Sequence, residues 1–366
     1  MTNLDHSSVL ATNESLYLST TSEGLVIAVH GKDMITLSGD YSSFIDCLEA
    51  VDGTRTFQEV LDHLTSVGKN PTDVVEILNF CQEENIIRAT GYKTLRDDSY
   101  MLDPYSYTKW DRQIRNFATL PGITDEEAVS FQAKIEASHI AVLGVGGVGS
   151  YVSLSAAMMG IGKLSIIDFD TIELSNTSRQ VLYTEESIGR FKVDVAKEQI
   201  AKHNPRTKVE TFNRKIDTRE AFDSTLDDIE KASDGLPDLL FIAADTPRGL
   251  IHHLADESCY GRGVPSFNLG PHGFSEVTMG PLIVPGVTPS YEERIPKGLL
   301  LQADPSVQII NNRLSPNIMD PYNALIAKMG VIEAVKFLTG YETPAILNSA
   351  ITINTANWTI ERYEYE

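Results

Sequence analysis

The stretch "VLGVGGVGS", Val142 to Ser150, decides the fold. An apolar run breaks into four closely spaced glycines, Gly144, Gly146, Gly147 and Gly149, and "YVSLSAAMM" follows. That order reads as strand, glycine turn, helix. Glycine lets the backbone approach a phosphate, and a helix start offers free N–H groups and the positive end of a dipole. From Ile140 to Gly162 there is no charge for 23 residues, about the length of a membrane span. The six glycines and three serines within it, and the strand-like "KLSIIDFD" behind it, favour a buried strand and a packed helix instead. The glycines alone suit NAD, FAD or ATP.

Working outward, Asp168 ends the next strand-like run, 19 residues past Gly149. A carboxylate there suits the two hydroxyls of a ribose, in NAD and ATP alike. "IIDFDTIELSNTSRQ" places Asp168, Asp170, Asn176 and Arg179 on one strand end and the loop after it. Lys192 comes 13 residues beyond Arg179, and Asp245 closes a later apolar run, "LLFIAADTP". Hydride transfer needs no cations gathered on a polyphosphate. Breaking one does, because charge builds on its oxygens. It also uses Mg²⁺, for which a strand-end Asp is a natural ligand. The set tilts the reading to ATP and Mg²⁺. An NAD(P)-dependent oxidoreductase is the alternative from another class.

From residue 139 onward strands and helices alternate. The pattern predicts strands at 139–144, 164–168, 207–212 and 237–243 and a shorter one near 264–268, with helices at 148–160 and 190–203. That is α/β, a doubly wound, Rossmann-like sheet. Residues 284–320 are Pro-rich and read as irregular. "NALIAKMGVIEAVKFLTGY" reads as a helix ending at Gly340, and the tail after it as two antiparallel strands.

Ahead of the sheet, residues 1–95 read as a small α+β, winged-helix-like domain. "SLYLST", "LVIAVHG" and "MITLS" are strand-like. Three apolar stripes at helical spacing follow, over Phe44–Val51, Val60–Val67 and Val74–Cys81. Residues 96–138 read as a helical connector, in which Thr124 and Glu127 form a capping-box signal. Residues 139–366 carry the nucleotide-binding turn.

Composition narrows the function classes. The formal net charge is −21, and residues 1–100 alone carry 16 Asp/Glu against 6 Lys/Arg. Such a surface disfavours nucleic acid and anionic membranes, so a winged-helix shape here implies peptide docking rather than DNA reading. An exposed sheet edge accepts an added strand. Cys47, Cys81 and Cys259 are far apart with no CxxC, which fits buried thiols in a reducing cytoplasm better than disulfides or a zinc site. "MTNLDHSSVLATNESLYL" has no signal-peptide pattern.

"RQI", "GVGGVG", "IIDFDTIELSNTSRQ", "GRFKVDVAKEQIAKHNP" and "AADTP" together resemble the ThiF/MoeB/HesA family of adenylating enzymes, over about Trp110 to Tyr341. The resemblance implies that Gly144, Gly146 and Gly147 cradle the ATP phosphates and that Asp168, with Asp170 beside it, serves the ribose side. It implies that Asn176 and Arg179 contact the nucleotide, Lys192 the phosphates, and that Asp245 binds Mg²⁺. Arg112, in "DRQI", matches an arginine that family dimers insert into the partner's ATP site, which implies a homodimer with shared sites. The family's reaction is attack of a carboxylate on the α-phosphorus of ATP.

"LSGDYSSFIDCLEAVDGTRTFQEVLDHL" and "ILNFCQEENII" look like a PqqD-type element that binds the leader of a ribosomally made precursor peptide. The two halves together resemble peptide-modifying enzymes of the microcin C and pantocin types. Many family members hold zinc with two CxxC pairs. Here "SYEE", with Ser290 and Glu293, stands in place of the first pair, and the second is missing. No cysteine follows Cys259, so the family's thioester-forming cysteine is missing too. The expectation is an ATP·Mg-dependent enzyme that activates a carboxylate on a precursor peptide. The leading target is an internal Glu or Asp side chain, resolved by cyclisation or dehydration, and the alternative is the peptide C-terminus.

Overall fold

The computed structural model describes residues 7–29, 31–90, 101–120, 122–272, 275–296 and 318–365, without the side chains of 271 and 272. The chain divides into two compact units, Met1–Phe131 and Gln132–Glu366.

The first unit holds β1 (Val9–Thr12), β2 (Tyr17–Thr21), β3 (Gly24–Ala28), β4 (Ile35–Leu37), α1 (Ser42–Ala50), β5 (Asp52–Thr56), α2 (Phe57–Ser66), α3 (Pro71–Glu83) and β6 (Ile87–Ala89). The three expected strands form the antiparallel sheet β2-β3-β4, and the three apolar stripes are helices α1 to α3. Their apolar faces meet in a core that includes Leu25, Ile27, Phe44, Val60, Leu64, Val74 and Leu78. Thr56 caps α2 through a capping box with Glu59, and Asn70 followed by Pro71 starts α3. A second sheet, β5-β1-β6, was not expected. Its strands are three to five residues long and one of them reads "DGTRT", too short and polar for alternation to stand out.

Helices α4 (Pro104–Lys109), α5 (Asp111–Ala118) and α6 (Asp125–Ala137) follow, and the boundary between the units falls inside α6. The expected capping box starts α6: Thr124 Oγ1 accepts from Glu127 N–H, and the Glu127 carboxylate accepts from Thr124 N–H at 2.8 Å. Segment 104–131 carries buried apolar groups and is tied to β6 by an ion pair. Ile114 is buried, the rings of Phe117 and Phe131 meet edge to face at 5.6 Å, and Arg88 pairs with Asp125.

The second unit is built on β7 (His139–Leu143), β8 (Lys163–Ile167), β9 (Lys208–Phe212), β10 (Leu239–Ile242), β11 (Ser266–His272), β12 (Glu276–Ile283), β13 (Ser349–Asn354) and β14 (Thr359–Glu364). The sheet order is β14-β13-β12-β11-β10-β7-β8-β9. From β11 to β9 all pairs are parallel, and from β11 to β14 antiparallel. The chain winds from β7 out to β9, then returns to β10 on the other side of β7. The ends of β7 and β10 therefore open a crevice at the point where the winding reverses, the usual ligand position in such sheets.

Helices α7 (Gly147–Met159), α8 (Lys192–His203), α9 (Arg219–Ser233), α10 (Ile251–Gly261), α11 (Tyr291–Arg294) and α12 (Asp320–Thr339) cover the sheet. α12 lies along α7, and α7 along α8; α9 packs on α10 over a core of Phe222, Leu226, Ile229, Leu240, Ile242 and Cys259. The uncharged run 140–162 is thus β7 and α7, apolar because it is enclosed. No helix among the described residues is long and apolar enough to cross a membrane. α12 ends at Gly340 in the left-handed conformation, φ +77°. Strand β12 was not expected, since Gly280 and Pro281 interrupt it. Of the irregular segment 284–320, residues 297–317 lie outside the described residues, as does the side chain of His272.

Candidate functional site

The glycine turn sits where β7 gives way to α7. Gly144 has φ +86°, and a Cβ there would lie 2.8 Å from Ala244 Cα. A side chain would strain the backbone and push against the end of the β10 strand. A Cβ at Gly149 would lie 1.8 Å from Gly144 O, so the turn folds back on its own helix. A Cβ at Gly147 would meet the Asn323 amide at 2.6 Å. A cradle that side chains would fill, opening on the N-terminus of a 13-residue helix, suits a phosphate chain.

Asp168 fastens this turn. Its Oδ2 accepts from Val145 N–H at 2.8 Å, and its Oδ1 from Asp170 N–H at 2.8 Å. Each oxygen keeps a further lone pair for a hydroxyl donor. Burial raises the Asp168 pKa, and the nearby Lys192 cation works against that rise. Lys192 opens α8 and is 6% exposed; its Nζ donates to Asp170 Oδ2 at 2.7 Å. A buried ammonium is thereby held beside the turn with a carboxylate partner that is itself half exposed.

Asn176 is buried, and its amide oxygen accepts from Glu173 N–H at 3.0 Å, closing the short helical turn Leu174–Ser178. Its observed contact thus shapes the loop. Arg179 ends that turn and donates from Nη1 to Ser175 O at 2.6 Å. Asp245 is exposed just beyond β10, with Oδ1 accepting from the Thr246 hydroxyl at 3.1 Å. Its neighbour Ala244 is the residue that Gly144 touches, so an oxygen ligand of the kind Mg²⁺ takes lies at the crevice. The donors present fit ATP and Mg²⁺: a glycine cradle, a buried cation and an exposed carboxylate. Arg112 belongs to the first unit. It is exposed on α5 and, with Arg115, Asn116 and Asn13, lines a cavity of about 950 Å³.

Sequence reasoning missed three residues. Tyr183 is buried, and its hydroxyl donates to Val145 O at 2.9 Å, a second fastening of the turn. Burial raises its pKa well above the usual tyrosine value. Gln180 is buried beside Gly146, and its Oε1 has no hydrogen-bond partner among the described residues. Both lie in "SRQVLY", where a polar residue three positions from a tyrosine was the available signal. Asn323, on α12, had none.

The positions expected to hold zinc in related enzymes carry a helix cap instead. Ser290 accepts from Glu293 N–H, and Glu293 accepts from Ser290 N–H at 2.7 Å. Cys259 is fully buried, and burial drives its thiol pKa far up, so a thiolate nucleophile is disfavoured there.

Several known proteins are similar to this chain. "Adenylyltransferase and sulfurtransferase UBA4" of Scheffersomyces stipitis is 29% identical over 247 residues, 68% of this chain and 50% of its own length. The chain thus spans about half the length of the first curated relatives it matches. The crystal structure of E. coli MccB with ATP superposes with a TM-score of 0.72 at 22% identity, covering 97% of this chain and 96% of MccB. MccB, described as a microcin C7 biosynthetic enzyme, has also been solved with N-formylated MccA. PaaA superposes with a TM-score of 0.70 at 22% identity, covering 96% of this chain and 99% of PaaA. These two likenesses place the fold. The ThiF family model matches residues 111–366, and on that match the chain belongs to the ThiF family.

Proposed function

We propose that this protein is an ATP- and Mg²⁺-dependent adenylating enzyme acting on a carboxylate of a ribosomally synthesised precursor peptide. One observation carries the reading: Asp168 pins the glycine turn at the sheet's switch point, and the buried Lys192 stands beside it. A carboxylate oxygen attacks the α-phosphorus, the new O–P bond forms, and the bond to pyrophosphate breaks. Lys192 and Arg179 offset the charge that builds on the phosphate oxygens. The N-terminus of α7 orients the phosphates. Asp245 would hold Mg²⁺, which supplies charge neutralisation on the leaving pyrophosphate.

The first unit binds the leader, by strand addition at an exposed edge of β2-β3-β4. The similarity to MccB and PaaA across nearly the full chain supports this pairing of units. The activated group is an internal Glu or Asp side chain, and cyclisation or dehydration resolves the acyl-adenylate without an enzyme thiol. The burial of Cys259 supports that choice over the sulfur-carrier activation suggested by the names of some relatives. Similarity to MccB supports the second reading, activation of the peptide's C-terminal carboxylate. Two chains share their ATP sites through Arg112. Peptide mass analysis after turnover separates an internal modification from a C-terminal one.

A further inference from the structure

Three of the turn's glycines have a visible steric reason, and that of Gly147 is a polar side chain from another helix. Gly144 needs a positive φ, and Gly149 must clear the Gly144 carbonyl. The backbone of Gly147 is not left-handed, so its conformation alone does not demand glycine. What excludes a side chain is Asn323, whose Nδ2, Cγ and Oδ1 would stand 2.6, 2.8 and 3.0 Å from a Cβ. Asn323 is 1% exposed and sits in the first turn of α12. Its Nδ2 donates to the backbone carbonyl of Arg179 at 3.4 Å.

A buried amide is costly unless it is used. This one touches the first residue of the phosphate-facing helix and the residue that ends the Arg179 loop. Neighbouring polar contacts keep α12 in register on α7: Tyr151 donates to Asp320, and Lys328 donates to Ser155 Oγ at 2.7 Å.

We propose that Asn323 is a positioning residue for the nucleotide site. Wedged between α7 and the Arg179 backbone, it fixes the spacing of the glycine turn from the Arg179 loop, so that both meet one triphosphate. The proposal rests on reading the turn as an ATP site.

The test is a double-mutant cycle on the full chain, with ATP·Mg²⁺ dissociation constants from calorimetry and melting curves alongside. Gly147→Ala alone should weaken ATP binding at least about tenfold, because its methyl displaces the amide. In the Asn323→Ala background the amide that the methyl displaces is gone, and the cost of Gly147→Ala should be at least about threefold smaller than in the unmodified chain. Asn323→Asp, which keeps the volume but sets an acceptor against the Arg179 carbonyl, should also weaken ATP binding about tenfold while the chain melts cooperatively.

An equal cost of Gly147→Ala in both backgrounds overturns the proposal and leaves the ATP reading standing. So does loss of cooperative melting in both Asn323 variants, since the side chain then serves the core. Absence of ATP binding by the unmodified chain overturns both together.

Discussion

At the scale of single residues, the site is a set of charges held by backbone groups. Asp168 spends both oxygens on N–H groups of the turn and of its own loop before any ligand arrives. Lys192 is kept charged-side inward by Asp170. Lys192→Ala and Arg179→Ala should each lower the rate of peptide-dependent pyrophosphate release at least about tenfold, with the larger share in kcat if the cations act on transition-state charge. His139, the first residue of β7, makes a different prediction. It is buried beside Ser165 Oγ at 2.9 Å, and burial lowers its pKa to about 4 from 6.5. The unfolded chain takes up the proton first, so this contribution to stability is present above pH 6.5 and is lost as pH falls towards 4. It amounts to about 3 kcal/mol at most. Urea melts of the full chain between pH 7 and pH 4 should show the second unit weakening, and His139→Phe should flatten that slope.

At the scale of elements, the turn is the least tolerant piece. Gly149→Ala sets a methyl against the Gly144 carbonyl and should cost at least about 3 kcal/mol, read as a lowered urea midpoint together with lost ATP binding. This segment was also the most legible in sequence, because the glycines, the apolar strand before them and Asp168 form one local pattern. The parallel strands were legible for a related reason: enclosed on both faces, they read as continuous apolar runs. Strands β1, β5 and β6 were not, being too short for alternation to show. Strand β12 was hidden by Gly280 and Pro281, where the backbone needs φ +94° to pass the Ser349 carbonyl. Asn323 was illegible because its role depends on a contact across 176 positions of chain, with Gly147 at the other end. Asn176 reads in sequence as a nucleotide contact, whereas its observed contact is within the loop that carries Arg179, a distinction only geometry draws.

At the scale of the whole molecule, the chain divides into two compact units, and the proposed function gives each its own task. The chain's charge of −21 disfavours nucleic acid and anionic surfaces, so cations matter where they are concentrated, as Lys192 and Arg179 are after β8. On the proposed function, the first unit, strongly acidic, takes a partner recognised through backbone pairing rather than a polyanion. The ThiF unit supplies the nucleotide turn, and its one thiol is sealed in the core. On the proposed function, the activated carboxylate is then resolved without an enzyme thiol, within the substrate.

The most direct test is pyrophosphate and AMP release by the full chain with ATP, Mg²⁺ and candidate peptides, each assayed with and without its leader. Release that requires ATP, an intact carboxylate and the leader is the predicted result. No ATP cleavage with any leader-bearing peptide, together with saturable binding of a nicotinamide dinucleotide at the glycine turn, would contradict the account.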